Sequence, residues 1–411
     1  MVHAAVLLAV LLAQEASPEV ARQAARISSE NPRVSMDAVS RLADLAATSR
    51  ASVQTAAAKL PDDVSFYRSV LQEELRARER LGEAYPKLKR ASVEVKDLTA
   101  PAIFGQIVEK YGERFDLNSR LGRAALPPAG ASNVTLKLDD VPFMEAIEAV
   151  CRQAKGSVAS NGVHLFFVPF QESVAACAYR NFLFQVPFAT RSRKVEFGAG
   201  EARSVRYNGF LFWDSDAGVA RIAGARGVEA IDGDGKPVAP ITDAPPEAGR
   251  PRKEGEPVFN VVNRFFQWEI ALAIPESDKI ARLRGFFEVL VPAASSAFEL
   301  TDLEKGQKKS DDHFELETEL KRDGISLRVK PKGSIEALIT APVELVGVYG
   351  DGAELPLQVP ARLSEGRLEY SFSLSTRQFG VTQALKTIKV RIVRALAARR
   401  IPFEFVDLPV K

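Results

Sequence analysis

Apolar residues recur every three to four positions in the first part of the chain, which is typical of amphipathic helices. Val39, Leu42 and Leu45 form one such stripe. Ser17, followed by a proline, has the composition of a helix start. The pattern predicts a helical segment over residues 17–90. It could be an arm that binds a partner, but an ordinary stripe favours a cap packed on the next domain.

A different unit, an alternating strand followed by an amphipathic helix, occurs twice between residues 92 and 170. The copies read SVEVKDLTAPAIFGQIVEKYG and VTLKLDDVPFMEAIEAVCRQA, and a further strand is expected after each, in ERFDL and VHLFFVPF. In the second copy Asp140 is expected to cap the helix, with Pro142 in its first turn. Phe143 and Ile147 would lie on its buried stripe. Since neither unit can bury a core alone, we expect one compact α+β domain.

The whole region from residue 92 to about residue 170, in which the second copy follows a strand, a helix, a strand and a loop and precedes a final strand, resembles the short N-terminal (STN) domain of secretins and TonB-dependent receptors. That family shows the pattern L-x-D-V-P-x-x-E-A-I/L-x-x-V/L, and the matching residues here are Leu138, Asp140, Val141, Pro142, Glu145, Ala146 and Ile147. The resemblance covers about a fifth of the chain. It implies partner recognition in the cell envelope and no catalytic residues. No secretin pore domain, plug or outer-membrane barrel is recognised, so a channel or receptor role is not implied.

From residue 178 onward, alternating segments separated by Gly, Asp and Pro turns predict antiparallel β-structure. A shared offset of 117 positions relates several residues without gaps. The matched pairs are Gly233–Gly235 with Gly350–Gly352, Phe286 with Phe403, Val289 with Val406 and Pro292 with Pro409. This predicts two superposable β-sandwich modules, residues 178–296 and 297–411. The expected chain is therefore multidomain: a helical N-terminal segment, a small STN-like α+β domain and two tandem antiparallel sandwiches.

The chain starts with a short apolar run from Ala4 to Ala13. A membrane-spanning helix needs about 20 residues, and no other segment is apolar enough to cross. The run predicts a signal peptide over residues 1–16, although its front end carries His3 and no Lys or Arg. The alternative is a first helix tucked into a domain. Cleavage would leave an extracytoplasmic protein, in the periplasm or at the cell surface.

Composition narrows the classes of partner. Charged residues make up 26% of the chain and the net charge is +2, so the basic excess of a nucleic-acid surface is missing. The chain has 24 Phe against 2 Trp and 7 Tyr, which suits apolar cores better than sugar-stacking platforms. No cofactor is expected.

The sequence predicts no catalytic, cofactor-binding or metal-binding residues. The histidines lie far apart, at His3, His164 and His313. The DGDGK run at Asp232–Lys236 fits a hairpin turn better than a calcium loop, and WDSDAG at Trp213–Gly218 reads the same way. Asp311 and Asp312 lie in a polar run that is typical of a solvated loop. No GxSxG, CxxC, HExxH or phosphate loop is present.

The two cysteines, Cys151 and Cys177, leave two interpretations open. In an exported protein they could form a disulfide. Alternatively, Cys151 is a small buried hydrophobe on the helix stripe, which we favour because domains of this size need no bridge.

Two classes of function remain. The first is a non-catalytic envelope protein that binds another protein or assembly through its α+β domain, sheet edges and sandwich loops. The alternative is an exported carbohydrate- or polymer-binding protein, marked by an exposed row of Trp and Tyr, or a degrading enzyme, marked by an acidic pair facing a cleft. Core-like alternation of the aromatic residues favours the first. The residues indicate no particular small-molecule ligand.

Overall fold

The computed structural model describes residues 17–113, 133–160, 165–169, 174–196, 200–241, 258–259, 264–321, 324–333, 343–350, 354–357, 359–373, 375–378 and 381–410. The chain forms two compact units. Unit 1 comprises Met1–Pro245, Arg264–Val291 and Ala398–Lys411, and unit 2 comprises Pro246–Asn263 and Pro292–Ala397. These boundaries differ from the expected division into residues 178–296 and 297–411, because the last strand of the chain ends in unit 1. Among the described residues, no helix has the length and apolarity needed to cross a membrane.

The N-terminal helical segment is confirmed. Its helices are α1 (Pro18–Arg26), α2 (Pro32–Leu45), α3 (Arg50–Ala58) and α4 (Ser65–Leu81). Two of them begin at a proline that follows a capping residue: the Ser17 side chain accepts the Val20 N–H, and the Asn31 side chain accepts the Arg33 N–H. The helices pack on the rest of unit 1, which agrees with a cap and not with a free arm.

The α+β region contains β1 (Arg90–Leu98), α5 (Ala100–Tyr111), β2 (Val134–Pro142), α6 (Phe143–Gln153), β3 (Gly156–Ser160) and β4 (Leu165–Pro169). Strands β1 and β2 pair antiparallel, and so do β3 and β4. The repeat is visible in the backbone: Asp97 and Asp140, each three residues before a helix, have φ of 56° and 48°. The strand expected in VHLFFVPF corresponds to β4, while ERFDL lies outside the described residues after Glu113.

Asp140 is not the helix cap, contrary to expectation. Strand β2 continues through Pro142, and no side chain caps α6. The Asp140 N–H instead donates to Ser92 Oγ at 3.1 Å, and its carboxylate pairs with Arg41 at 2.8 Å. These long-range partners hold Asp140, which has a left-handed φ of 48°, near the end of β2.

The remaining strands are β5 (Ala175–Tyr179), β6 (Phe182–Glu196), β7 (Gly200–Trp213), β8 (Arg221–Asp232), β9 (Pro237–Val238), β10 (Pro240–Ile241), β11 (Val258–Phe259), β12 (Phe265–Ala273), β13 (Lys279–Leu300), β14 (Lys308–Ser310), β15 (Phe314–Lys321), β16 (Gly324–Pro331), β17 (Val343–Tyr349), β18 (Glu354–Pro356), β19 (Pro360–Ser364), β20 (Arg367–Phe372), β21 (Ser375–Gln378) and β22 (Val381–Pro409). Every strand pairing whose register is described is antiparallel, so the expected antiparallel β-structure is confirmed.

In unit 1 a five-stranded sheet has the order β10-β12-β7-β6-β5. One face packs on β13 and the end of β22 through tilted aromatic rings: the Phe287 centroid lies 5.4 Å from that of Phe184 and 5.4 Å from that of Phe403. The opposite face contributes Leu183 and Phe212 to the core of the α+β region. That core is therefore completed by the sheet and is not confined to residues 92–170.

Unit 2 contains a six-stranded sheet of order β11-β19-β20-β16-β15-β14. Its core also includes β17 and the first half of β22, with Leu316, Leu327 and Leu345 among the buried residues. Strand β8 pairs with β9 and with β13, and strand β17 pairs with β18 and with β22. Phe286 in β13 and Phe403 in β22, which the repeat assigns to separate modules, both lie in unit 1.

Candidate functional site

The described part of unit 1 contains a groove of about 660 Å³. It is bounded by the start of α2, by α6, by β5 and β6, and by the end of β22. Its lining consists of residues 31–33, 36, 148, 152, 174–178, 186–189, 207 and 404–409.

Strand edges form two of its walls. Residues 174–178 and 404–409 each line the groove without interruption. Since successive side chains of a strand point to opposite faces, an unbroken run indicates that the backbone edge faces the groove. Strand β5 is the last strand of its sheet. In unit 1 the end of β22 pairs with β13 on one side, and no described strand pairs with it on the other. Such edges present unpaired N–H and C=O groups.

One hydrogen bond fixes the direction of the β22 edge. The Glu404 N–H donates to Cys177 Sγ at 3.5 Å, and a thiol is a weak acceptor. Because hydrogen-bonding directions alternate along a strand, the Val406 N–H faces the groove as well. Asp407 has a φ of 53°, which interrupts the alternation. Beyond it the strand end is held by Arg191, which donates to the Val410 carbonyl at 2.6 Å.

Two large apolar side chains of the lining are unusually open to solvent. Phe188 is 50% exposed and Val406 is 45% exposed. Close to them, Ala175, Ala176 and Ala178 provide small side chains on the β5 wall. Exposed apolar groups on one concave surface mark an interaction site more often than isolated ones do.

An acidic pair, Glu148 and Glu404, also lines the groove. Glu148 is bound by Arg33 at 2.6 Å and by Arg152 at 3.4 Å. Glu404 accepts the Tyr67 hydroxyl at 2.6 Å and lies 3.3 Å from the Arg282 guanidinium. Burial raises the pKa of both carboxyls, although the arginines oppose the shift. Both carboxylates thus have fixed partners, which is the arrangement of structural ion pairs.

Further ionic contacts join α2 to the α+β region. Arg41 of α2 binds Asp37 at 3.1 Å in addition to Asp140, and Arg90 of β1 lies 3.5 Å from Asp37. Glu145 of α6 is half-buried beside this cluster. Burial raises the pKa of Glu145 to about 8; the Asp37 carboxylate adds to the shift, and Arg90 opposes it.

Both cysteines are free, buried thiols in the structure. Cys151 belongs to the core of the α+β region, as the buried-hydrophobe interpretation predicted, and Cys177 lines the groove. Burial raises the pKa of Cys177 to about 12 and also raises that of Cys151. Since the thiolate is the nucleophile, neither side chain is activated at neutral pH.

The other candidates from the sequence occupy turns. Asp311 accepts the N–H groups of His313 and Phe314 at 2.7 and 2.8 Å, and Asp232 accepts those of Asp234 and Lys236 at 3.0 and 2.8 Å. Asp312 is exposed, and the His313 ring contacts Arg394. In WDSDAG, Asp214 caps a short 3-10 turn, Ser215–Ala217. His3 and His164 lie outside the described residues, within which no group of three His, Cys, Asp or Glu could hold a metal ion.

The Trp and Tyr side chains do not form a binding platform. Both tryptophans and all seven tyrosines of the sequence lie in the described part of the chain, and each is buried: Trp213, Trp268, Tyr67, Tyr85, Tyr111, Tyr179, Tyr207, Tyr349 and Tyr370. The exposed row expected of a carbohydrate-binding module is therefore absent.

Comparison with known proteins gives no match. No protein-family model, no curated protein and no solved structure is similar enough to this chain to be matched. The function must therefore be inferred from the groove.

Sequence reasoning did not find this groove. Its walls come from segments that are distant in sequence. Among the lining residues, the sequence singles out Cys177 as a possible disulfide partner and Val406 and Pro409 only as members of the repeat, and none of them as part of a binding site. The one local signal was the AACA run at the start of β5, where four consecutive small residues allow another chain to approach closely.

Proposed function

We propose that this is a non-catalytic protein of the cell envelope that binds an extended segment of another protein in the groove. The observation that carries the proposal is that two strand edges, residues 174–178 and 404–409, line the same groove, each as an unbroken run of residues. An added strand gains main-chain hydrogen bonds that do not depend on its sequence, while side-chain contacts set specificity.

The incoming segment would pair with the β22 edge. The N–H groups of Glu404 and Val406 supply donors there, and the alanines of β5 leave room for a second backbone. Phe188 and Val406 would cover apolar side chains of the segment, since both are exposed at the groove. The weak Cys177 acceptor is readily exchanged for a peptide carbonyl.

Envelope location rests on two features of the sequence. These are the apolar run within residues 1–16 and the STN-like pattern of the second strand–helix unit. N-terminal sequencing of the native protein tests this. A mature N-terminus near residue 17 in the extracytoplasmic fraction is expected, whereas a chain that begins at Met1 in the cytosol would refute export.

The contacts of the groove carboxylates and the burial of the Trp and Tyr side chains argue against a polymer-degrading or polymer-binding function. Glycoside hydrolysis needs one carboxyl as acid and a second as base or nucleophile, but Glu148 and Glu404 are both engaged by arginine or tyrosine. Polymer binding by aromatic stacking needs an exposed Trp or Tyr, and every Trp and Tyr of the chain is buried.

Site-specific photo-crosslinking tests the proposed binding. A photoreactive residue replaces Val406 in the full-length protein in its native cells, and the crosslinked peptide is identified by mass spectrometry. Leu320, an apolar residue that is 48% exposed and lies in unit 2, is the matched control. We expect one recurrent segment of one partner from position 406 only, lost on Phe188→Ser. Equal labelling from both positions, or labelling that Phe188→Ser leaves intact, would contradict a specific groove site.

A further inference from the structure

Two arginines are wholly buried in unit 1, away from the groove lining. Arg180 lies in the turn between β5 and β6, and Arg399 lies in β22; both are 0% exposed. Their guanidinium carbons are 5.4 and 5.2 Å from the centroid of the Tyr85 ring, and that of Arg78 is 4.3 Å from it. Three cations thus surround one aromatic ring.

The hydrogen-bond partners of these arginines are few. Arg399 Nη2 binds the two carboxylate oxygens of Glu74 at 3.0 and 3.2 Å. Arg180 Nη1 binds Asp44 at 2.8 Å and the Ser40 carbonyl at 3.1 Å. Glu74 also accepts the Tyr85 hydroxyl. Two carboxylates therefore face three guanidinium groups.

Several buried donors of the cluster lack a partner. They are Nε and Nη2 of Arg180, Nε and Nη1 of Arg399, and the Tyr179 hydroxyl. A buried polar group without a hydrogen bond is destabilising, and a charged one more so. A negatively charged hydrogen-bond acceptor would both balance the excess positive charge and bind the donors that lack a partner.

We propose that this cluster binds a small oxyanion, held by Arg180 and Arg399 with the Tyr179 hydroxyl as a third donor. The planar fork of a guanidinium matches the oxygens of carboxylate and phosphate groups. Asp44, Arg78 and Tyr85 of the cluster also line a cleft of about 290 Å³. The site is separate from the groove and does not depend on the proposed partner binding.

Thermal unfolding of the full chain tests the site, with inorganic phosphate as the probe at constant ionic strength set by sodium chloride. A ligand that binds only the folded state raises the melting temperature in a saturable manner. Tyr179→Phe removes one donor without adding bulk, and losing one such hydrogen bond should weaken phosphate binding about tenfold. Arg76→Gln on the exposed face of α4 is the control for nonspecific surface charge and should leave the affinity unchanged.

Three results would overturn the proposal. A melting temperature that rises without saturation, equally in the parent and in Tyr179→Phe, would mean that water satisfies the donors. Saturable binding that Tyr179→Phe retains in full would place the phosphate elsewhere. An identical saturable effect of chloride and phosphate would exclude selection of an oxyanion. Tyr179→Phe is used because Arg180→Gln could prevent folding.

Discussion

Ile147→Ala tests whether the apolar stripe of α6 is core or contact surface. Ile147 is 1% exposed and packs with Phe143 and Leu136, and with Leu183 and Phe212 of the adjoining sheet. The substitution removes three buried carbons, at about 0.8 kcal/mol each in transfer free energy. The cavity that remains adds to this, so we expect a loss of about 3–4 kcal/mol in the free energy of unfolding.

Urea unfolding of the full chain is the assay, because the core that contains Ile147 includes residues outside 92–170. Lys137→Ala is the matched control on the solvent face of β2. The Lys137 side chain is 79% exposed and lies 3.7 Å from Glu94, so its loss should change stability by less than about 0.5 kcal/mol. Groove residues should show the opposite behaviour, changing partner binding while stability is unaffected.

One result would refute this reasoning. If Ile147→Ala unfolded at the parental urea concentration but no longer bound the partner, the α6 stripe would be the recognition face. The assignment of Ile147 to the core would then be wrong, and the groove would not be the binding site.

Two further substitutions test the buried charges. Glu74→Ala leaves Arg399 without its carboxylate and should cost about 3–5 kcal/mol in urea unfolding, whereas replacing both residues with apolar ones should recover most of the loss; a cost near zero would show that the pair is solvated. Because the pKa of Glu145 is raised in the folded state, its contribution to stability is full below its ordinary value of 4.5 and is lost as pH rises through about 8. The decline has a slope of at most about 1.4 kcal/mol per pH unit, and Glu145→Gln should remove it. Glu109→Gln, at an exposed position, is the control and should retain the decline. Parallel pH profiles of stability for the parent and Glu145→Gln would contradict the assignment.

The local sequence pattern predicts the helices and strands but not which distant residues they contact. The spacing of Phe143, Ile147 and Val150 was sufficient to predict the buried face of α6, since helical periodicity is a property of adjacent turns. The prediction that Asp140 caps α6 is wrong, because the local sequence around an acidic residue shortly before a helix is the same whether or not that residue caps the helix. Its true partners, Ser92 and Arg41, are distant in sequence.

The groove and the arginine cluster could not be predicted for the same reason. Nothing in the local sequence around Arg180 and Arg399 predicts a buried guanidinium, and only the fold brings them to the Tyr85 ring. Likewise the free edge near Val406 exists because β22 extends from unit 2 into unit 1, where no described strand pairs with its outer side. A repeat with a constant offset gave no indication of that extension.

The central claim is that the groove binds its partner through the main chain of β22. The most direct measurement is the affinity of the crosslinked partner segment, as a synthetic peptide, for the parent, Val406→Pro and Val406→Ala. Proline removes the groove-facing N–H at an edge position where it is tolerated, so the unfolding free energy should stay near the parental value. The account predicts that Val406→Pro weakens the peptide by more than about tenfold while Val406→Ala weakens it by less than about threefold. Equal losses, or a larger loss for Val406→Ala, would contradict strand addition at this edge.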